Sequence, residues 1–357
     1  MIAVPIPDCD VLIIGAGPAG SAAARAAARA GAKVIIVERR RTIGATAQCA
    51  GFVPAPAISV AAMPPGVIIQ SIATMSIHTP DGCEQETASP GFIVDRERFD
   101  QTLAAQARQA SARVLTGTRA VSRRDGCTTL SSGGHINRIR SANVIGADGP
   151  RSIAGAWTGA VNTHLLAGAQ YTMPLAQPSS RIRVYFHQRL AGGYGWVFPR
   201  GDTANVGVGV QTAGGVKPAQ ALKWFVEKVT RQGLVGSRRL SATGGLIPVG
   251  GPVFARTGDV LLAGDAGGLC HPLTGAGVSL ALQSGKLAGE AAAAAAFGGG
   301  SPALRRYAAE IDELMGAALR NALKRRHHLY RHESSGINEF CRAVRESWTG
   351  SSAYEQA

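Results

Sequence analysis

The sequence predicts an α/β protein: a Rossmann-like parallel sheet, an inserted antiparallel sheet and a helical C-terminal tail. Three observations carry that prediction. Residues 10–38 read strand, glycine turn, helix, strand and acid in that order. Two later apolar runs, at 143–149 and 260–265, each end in a turn built on Gly and Asp. Between them, residues 165–245 alternate short strand-like runs with Gly-rich turns. Short buried strands separated by helices indicate a parallel sheet, and closely spaced strands with tight turns indicate an antiparallel one.

The opening unit is the most specific signal. Asp10-Val11-Leu12-Ile13-Ile14 is apolar in the manner of a buried parallel strand. It leads into Gly15-Ala16-Gly17-Pro18-Ala19-Gly20, an Ala-rich helical stretch ending at Gly31, and a second strand at 33–37. Gly15 permits the tight turn, Gly17 lets the backbone approach a pyrophosphate, and Gly20 lets helix pack against strand. Pro18 and Ala19 open the helix, whose N-terminus then faces phosphate charge. Glu38 closes the second strand and can accept hydrogen bonds from an adenosine ribose, with Arg39 beside it as a further cofactor-binding candidate.

Composition sets the outer limits. At 357 residues, with 45% hydrophobic residues and 46 glycines, the chain can bury the core of a globular α/β protein. No apolar run approaches the roughly 18–20 residues of a membrane span, and the first strand starts too early for a signal peptide. The six cysteines are scattered with no CxxC pair, which argues against a disulfide framework or zinc and for a reducing, cytoplasmic setting. Most of the arginines behind the formal charge of +14 read as a solvated face; the charge also suits an acidic partner or an anionic membrane, and no motif accompanies it that would read nucleic acid. Its most concentrated stretch, Lys324-Arg325-Arg326-His327-His328 with Arg331 and His332, lies on an expected helix suited to phosphate head groups.

The remaining elements follow in order. Residues 42–66 read as loop plus a short helix, and 67–78 and 92–94 as strands around a turn at Pro80-Asp81-Gly82. Val94 or Asp95 caps a helix at 96–109 with Phe99, Leu103, Ala104 and Ala107 on one face. Short strands near 114, 121, 128–130 and 136–139 lead to Asn143-Val144-Ile145-Gly146-Ala147-Asp148-Gly149. Strands at 181–186, 194–198 and 204–210 precede a helix at 218–231, a strand at 260–263 and a long helix from about 277 to 296. A linker, Gly298-Gly299-Gly300-Ser301-Pro302, opens the tail.

The two Gly-Asp turns share one logic with the first motif. A buried strand ending in Gly-Asp sets a carboxylate at the carboxyl edge of the sheet, where ligands of doubly wound folds bind. Asp265, after Gly264, can accept hydrogen bonds from ribityl or ribose hydroxyls, and Gly275-Ala276-Gly277 brings a helix N-terminus toward a flat acceptor ring. Asp148 is a cofactor or interdomain candidate, although Asp-Gly after a strand is also ordinary turn chemistry.

In this order the motifs resemble FAD-dependent oxidoreductases with the fold of aromatic hydroxylases. The resemblance spans most of residues 8–300 and implies FAD, with Arg96 approaching the ribityl or pyrophosphate and Asp265 the ribityl chain. It implies an FAD-binding domain in two parts, 1–160 and 246–300, with 67–94 contributing to the substrate side. It further implies a substrate-binding antiparallel sheet at 161–245 and a helical tail at 301–357. Finer features resemble the geranylgeranyl reductase family. Hydroxylases usually carry His where this chain has Gly268 in its GDAGGLCHPLTGAG run. Gln48-Cys49-Ala50-Gly51-Phe52-Val53-Pro54 is similar to that family's Cys-x-Gly segment beside the flavin. Gly193-Tyr194-Gly195-Trp196-Val197-Phe198-Pro199, with 204–209, is similar to the strands lining its isoprenoid pocket. The tail is brief beside typical reductases of that family.

That resemblance implies reduction of C=C bonds in a prenyl or similarly apolar substrate by hydride from reduced flavin. An apolar wall of Tyr194, Trp196 and Phe198 would bind it, since strand alternation puts all three on one face; an ordinary core strand looks the same. Cys49 and Tyr194, or water, would supply the second carbon's proton, with Trp196 adjoining them as a further catalytic candidate; a buried inert cysteine is the plain alternative. His271 reads as a packing or hydrogen-bonding residue. With one GxGxxG motif only, NADPH would dock transiently, or a reduced ferredoxin would supply electrons to the basic surface. Alternative readings are a monooxygenase of aromatic or polyketide-like substrates, an electron-transfer flavoprotein, and a flavin-dependent halogenase. The last lacks its lysine, because none lies between Lys33 and Lys217.

Overall fold

Strand β1 (Cys9–Ile14) runs through the glycine turn into helix α1 (Pro18–Arg29) and returns as the parallel strand β2 (Val34–Val37). Both strands are almost wholly buried, as a sheet covered on both faces requires. The computed structural model describes residues 9–45, 48–211, 215–254 and 258–348. The expected start of the cofactor domain at 1–8 and end of the tail at 349–357 lie outside the described residues.

A short strand β3 (Phe52–Pro54) and helix α2 (Ala55–Ala61) precede the long hairpin β4 (Ile68–His78) and β5 (Glu84–Val94). The apolar run at 92–94 marks only the end of the second hairpin strand. Its outer half is solvated, with Glu84, Gln85 and Glu86 pairing to His78, Ile77 and Ser76, so no apolar run marks it. Helix α3 (Arg96–Gln109) is capped by Asp95, whose carboxylate accepts from the backbone N–H groups of Glu97 and Arg98 at 3.1 Å. Its four predicted apolar residues are buried.

Strands β6 (Arg113–Leu115), β7 (Thr118–Arg124), β8 (Cys127–Ser132) and β9 (His135–Gly146) follow, then helix α4 (Ile153–Thr158). β9 pairs antiparallel with β8 along its first part and parallel with β1 along its second, so it belongs to both ladders. Next come β10 (Leu165–Pro174), β11 (Arg181–Tyr185), β12 (Tyr194–Arg200) and β13 (Thr203–Val210). Helix α5 (Pro218–Arg231) leads to β14 (Ser241–Pro248) and β15 (Val260–Leu262). Helices α6 (Val278–Ala294), α7 (Gly300–Ile311), α8 (Ala317–Arg331) and α9 (Ile337–Trp348) complete the described chain.

The first sheet has the order β6-β2-β1-β9-β8-β7, with β15 also paired to β9. The second has the order β14-β10-β13-β12-β11-β4-β5-β3. Its pairings are antiparallel, as expected, apart from β11 with β4, which run parallel. The early hairpin and β3 therefore share a sheet with the strands of 165–248. Alanines of α1 and α6 pack in one core under the first sheet. α5 covers one face of the second sheet with Leu222, Phe225 and Val229. Leu329, Phe340, Val344 and Trp348 of α8 and α9 cover the other, against Tyr194, Trp196 and Phe198.

Candidate functional site

The carboxyl end of β1 opens onto a cavity of about 370 Å³ bounded by both sheets. Gly15 takes φ +100°, and a Cβ there would sit 2.3 Å from the carbonyl oxygen of Ala147. A Cβ on Gly20 would sit 1.8 Å from the carbonyl oxygen of Gly15, so the turn, α1 and the Ala147 segment close only around glycine. Gly17, at the N-cap of α1, meets nothing within 4 Å and faces the cavity beside Pro18 and Ala19. No side chain caps α1, which leaves its first N–H groups for an anion.

Glu38 sits behind this turn and does not line the cavity. Its Oε2 accepts from the Ala16 N–H and its Oε1 from the Arg40 N–H, both at 2.9 Å. Arg39, the arginine singled out from sequence, is exposed. Arg40 lines the cavity instead and donates through Nη1 to the Ala45 carbonyl at 2.7 Å.

Gly264 and Asp265 follow β15 in a tight turn on the same cavity, with Gly264 packed against Ala19. Burial pushes the Asp265 carboxyl up to about 6, against the pull of the Arg96 guanidinium. Its backbone carbonyl accepts from Asn162 Nδ2 at 2.8 Å, and the same amide donates to the Pro150 carbonyl at 3.0 Å. Gly275, Ala276 and Gly277 line the cavity, and α6 starts at the Gly277 N-cap without a side-chain cap. Asp148 departs from the cofactor role considered for it. Its carboxylate accepts from Ser152 Oγ at 2.5 Å and from the Ile153 N–H at 2.7 Å, at the start of α4. Those local donors hold it off the cavity, which its neighbours Ala147, Gly149 and Pro150 line.

Arg96 opens α3 on the cavity wall and pairs with Asp100 one turn later. The Cys49 sulfur lies within electrostatic reach of its guanidinium and accepts the Gly51 N–H at 3.3 Å. Tyr194, Trp196 and Phe198 share one face of β12 and all line the cavity. Tyr194 stands edge-on to Trp196, with ring centroids 6.0 Å apart, and Phe52 edge-on to Phe198 at 6.4 Å. The Tyr194 hydroxyl donates to the Thr274 carbonyl. His271 is buried, which lowers it to about 4, and its Nδ1 accepts from the Thr274 N–H at 3.2 Å; it is a neutral scaffold group.

The sequence motifs do not single out Arg40, Asp100, Gln170 or the wall supplied by Thr243 to Ile247 on β14, all of which line the cavity, nor Asn162, which holds the Asp265 carbonyl. Asp100 carried a usable signal, the four-residue spacing from Arg96 on one helix face. Gln170 carried none, being a lone amide in a small-residue strand. The basic stretch of α8 divides. Arg326 is buried, donating to the Gly192 carbonyl at 2.7 Å and the Pro272 carbonyl at 3.4 Å, while Lys324, His327 and Arg331 remain exposed. No helix among the described residues is long and apolar enough to cross a membrane.

This arrangement fits a dinucleotide with a flat ring: an open glycine cradle, two uncapped helix N-termini, a half-buried carboxylate and an aromatic wall around one cavity. Residues 10–173 match the FAD dependent oxidoreductase family, and residues 166–247 match the geranylgeranyl reductase catalytic domain. The chain is 32% identical to a digeranylgeranylglycerophospholipid reductase of Methanothrix thermoacetophila, over 94% of this chain and 91% of that one. It is 36% identical to a second protein of that name from Methanopyrus kandleri, over 79% of this chain and 80% of the other. The crystal structure of a geranylgeranyl bacteriochlorophyll reductase-like protein from Thermoplasma acidophilum has the same fold. Its TM-score is 0.79 over 96% of this chain and 97% of that one, at 24% identity.

Proposed function

The chain belongs to the geranylgeranyl reductase family of FAD-dependent oxidoreductases, as its motifs predicted, and we propose that it saturates C=C bonds in the prenyl chains of a glycerophospholipid. One observation carries this reading. The glycine cradle of Gly17, Pro18 and Ala19, the Asp265 carboxylate and the aromatic wall of β12 all line a single cavity.

FAD, when bound and reduced, supplies the hydride for one alkene carbon. Gly17 to Ala19 and the α1 N-terminus would hold its pyrophosphate, with Glu38 nearby for the adenosine end. Asp265 and Arg96 would hold the ribityl chain, and residues 275–277 the ring. Tyr194, Trp196 and Phe198 would bind the isoprenoid by apolar burial, at about 25 cal/mol per Å², and exclude water from the reacting carbons.

The second carbon takes a proton. Cys49 is our candidate donor, because it lines the cavity near Arg96. The Tyr194 proton is already engaged by the Thr274 carbonyl. Exposed Lys324, His327 and Arg331 would meet the lipid phosphate or an anionic membrane surface. The charge of +14 likewise suits an acidic reduced ferredoxin as electron source, with NADPH as the other donor to be tried.

The test is incubation of dithionite-reduced, FAD-loaded protein under argon with a digeranylgeranyl phospholipid, followed by mass spectrometry. Gain of two hydrogens per double bond supports the reading. No gain with any prenyl lipid, together with oxygen incorporation into an aromatic substrate in air, would replace it with monooxygenation.

A further inference from the structure

We propose that Gln170 and Asn205 are positioning residues, two carboxamides on the second sheet that fix the Cys49 segment from behind. The inference rests on the reading of Cys49 as proton source. Residues 48–51 form no helix or strand of their own, so outside groups must hold them. Three successive carbonyls of the segment are taken. Gln170 Nε2 donates to the Cys49 carbonyl at 3.4 Å, and Asn205 Nδ2 to the Ala50 carbonyl at 2.9 Å. The Val94 N–H donates to the Gly51 carbonyl at 2.9 Å.

The two amides stand on paired strands, where Gln170 lies opposite Gly207 and Thr172 opposite Asn205. Each is oriented by a second bond. Trp196 Nε1, which can only donate, gives its hydrogen to Gln170 Oε1 at 2.9 Å. Thr172 Oγ1 donates to Asn205 Oδ1 at 3.1 Å and accepts from Ser241 Oγ at 2.9 Å. The bound oxygen of each amide forces its NH₂ toward the Cys49 segment.

Both side chains are buried, Gln170 at the cavity wall, and burying an amide carries a desolvation cost that an apolar residue would avoid. A buried amide with every bond satisfied rigidifies what it touches. Here it touches the backbone that carries the Cys49 thiol, and through Trp196 it ties that backbone to the aromatic wall. The pair therefore fixes the distance between proton source and alkene.

Isosteric exchanges separate this role from sheet stability. In their ionised forms Gln170→Glu keeps the acceptor for Trp196 and removes the donor to Cys49, and Asn205→Asp keeps the acceptor for Thr172 and removes the donor to Ala50; both are assayed at pH 8. Two readouts are taken on FAD-loaded protein: iodoacetamide labelling of Cys49 by peptide mass without substrate, and kcat and KM with a prenyl phospholipid. Each exchange should change the labelling rate by about threefold or more and lower kcat by about tenfold, with KM within about twofold and FAD content unchanged. Wild-type labelling and kcat in both variants would overturn the proposal, as would losses that merely track FAD release. If the charged variants do not fold, Gln170→Met and Asn205→Leu remove donor and acceptor together without charge, and the same outcomes decide. Full turnover by Cys49→Ser would instead strike the proton-donor reading, and the substrate-free labelling tells the two failures apart.

Discussion

Arg96 and Asp100 form a part-buried ion pair one turn apart at the start of α3, with Nη2 3.0 Å from Oδ1. Burial pushes the Asp100 carboxyl up while the Arg96 guanidinium pulls it down. Arg96 also has Phe99 beneath it, 5.9 Å from guanidinium carbon to ring centroid. Both charged groups line the cavity, so Asp100 fixes the guanidinium that the ribityl or pyrophosphate would meet.

Asp100→Leu leaves that part-buried guanidinium without its nearest carboxylate. Removing one partner of a fully buried pair costs about 3–5 kcal/mol, which is the upper bound here because Asp265 also lies within reach of Arg96. Urea denaturation should show a loss of about 1–3 kcal/mol, with weakened FAD retention; a loss below about 1 kcal/mol would show the pair to be solvated in solution.

Asp265 makes stability depend on pH. Its carboxyl is raised from 3.8 to about 6 in the folded, FAD-free protein, so between those values the folded chain binds more protons than the unfolded one. Stability associated with it is present below pH 4 and is lost as pH rises through 6, by about 3 kcal/mol at most. Comparing FAD-free wild type with Asp265→Asn at pH 4 and pH 7 should show the difference moving in favour of Asn. A difference that stays flat across the window would mean the carboxyl titrates normally.

The proton-donor assignment separates two neighbours. Cys49→Ser should lower kcat by about 10²-fold or more, the usual worth of a positioned acid. Tyr194→Phe, which loses the bond to the Thr274 carbonyl, should stay within about tenfold of wild type. Rapid-quench single turnovers compare the two, and the reverse ranking would make Tyr194 the donor.

Trp348 of α9 closes the apolar face beyond Tyr194, edge-on to Tyr194 at 5.4 Å and to Phe186 at 5.2 Å between ring centroids. Trp348→Ala should cost about 3–5 kcal/mol in stability. The space it leaves adjoins the cavity wall, so the variant should accept longer prenyl chains, read as a shifted product profile. An unchanged profile would place the substrate away from α9.

Most of the parallel sheet was legible because its signals are local. Asp10 to Ile14, the glycines of 15–20 and Gly264-Asp265 each state a strand end and a turn within a few residues. Strands β10 and β14 were not, because Gly168, Gly244 and Gly245 break any apolar alternation there. The site was partly legible for the same reason. Motif positions such as Gly17, Arg96 and Asp265 line the cavity as a group. Asp148 looked alike in sequence, yet Ser152 and the α4 N-terminus take its carboxylate. Gln170 and Asn205 act over separations of 121 and 155 residues, a relation that only the folded sheet creates.

The central claim is that flavin and prenyl chain share one cavity. Stopped-flow mixing of reduced, FAD-loaded protein with a digeranylgeranyl phospholipid under argon tests it most directly. Flavin should reoxidise with one double bond saturated per flavin, more slowly in Cys49→Ser. Flavin that stays reduced in the presence of every prenyl lipid, from protein that retains its FAD, would contradict it.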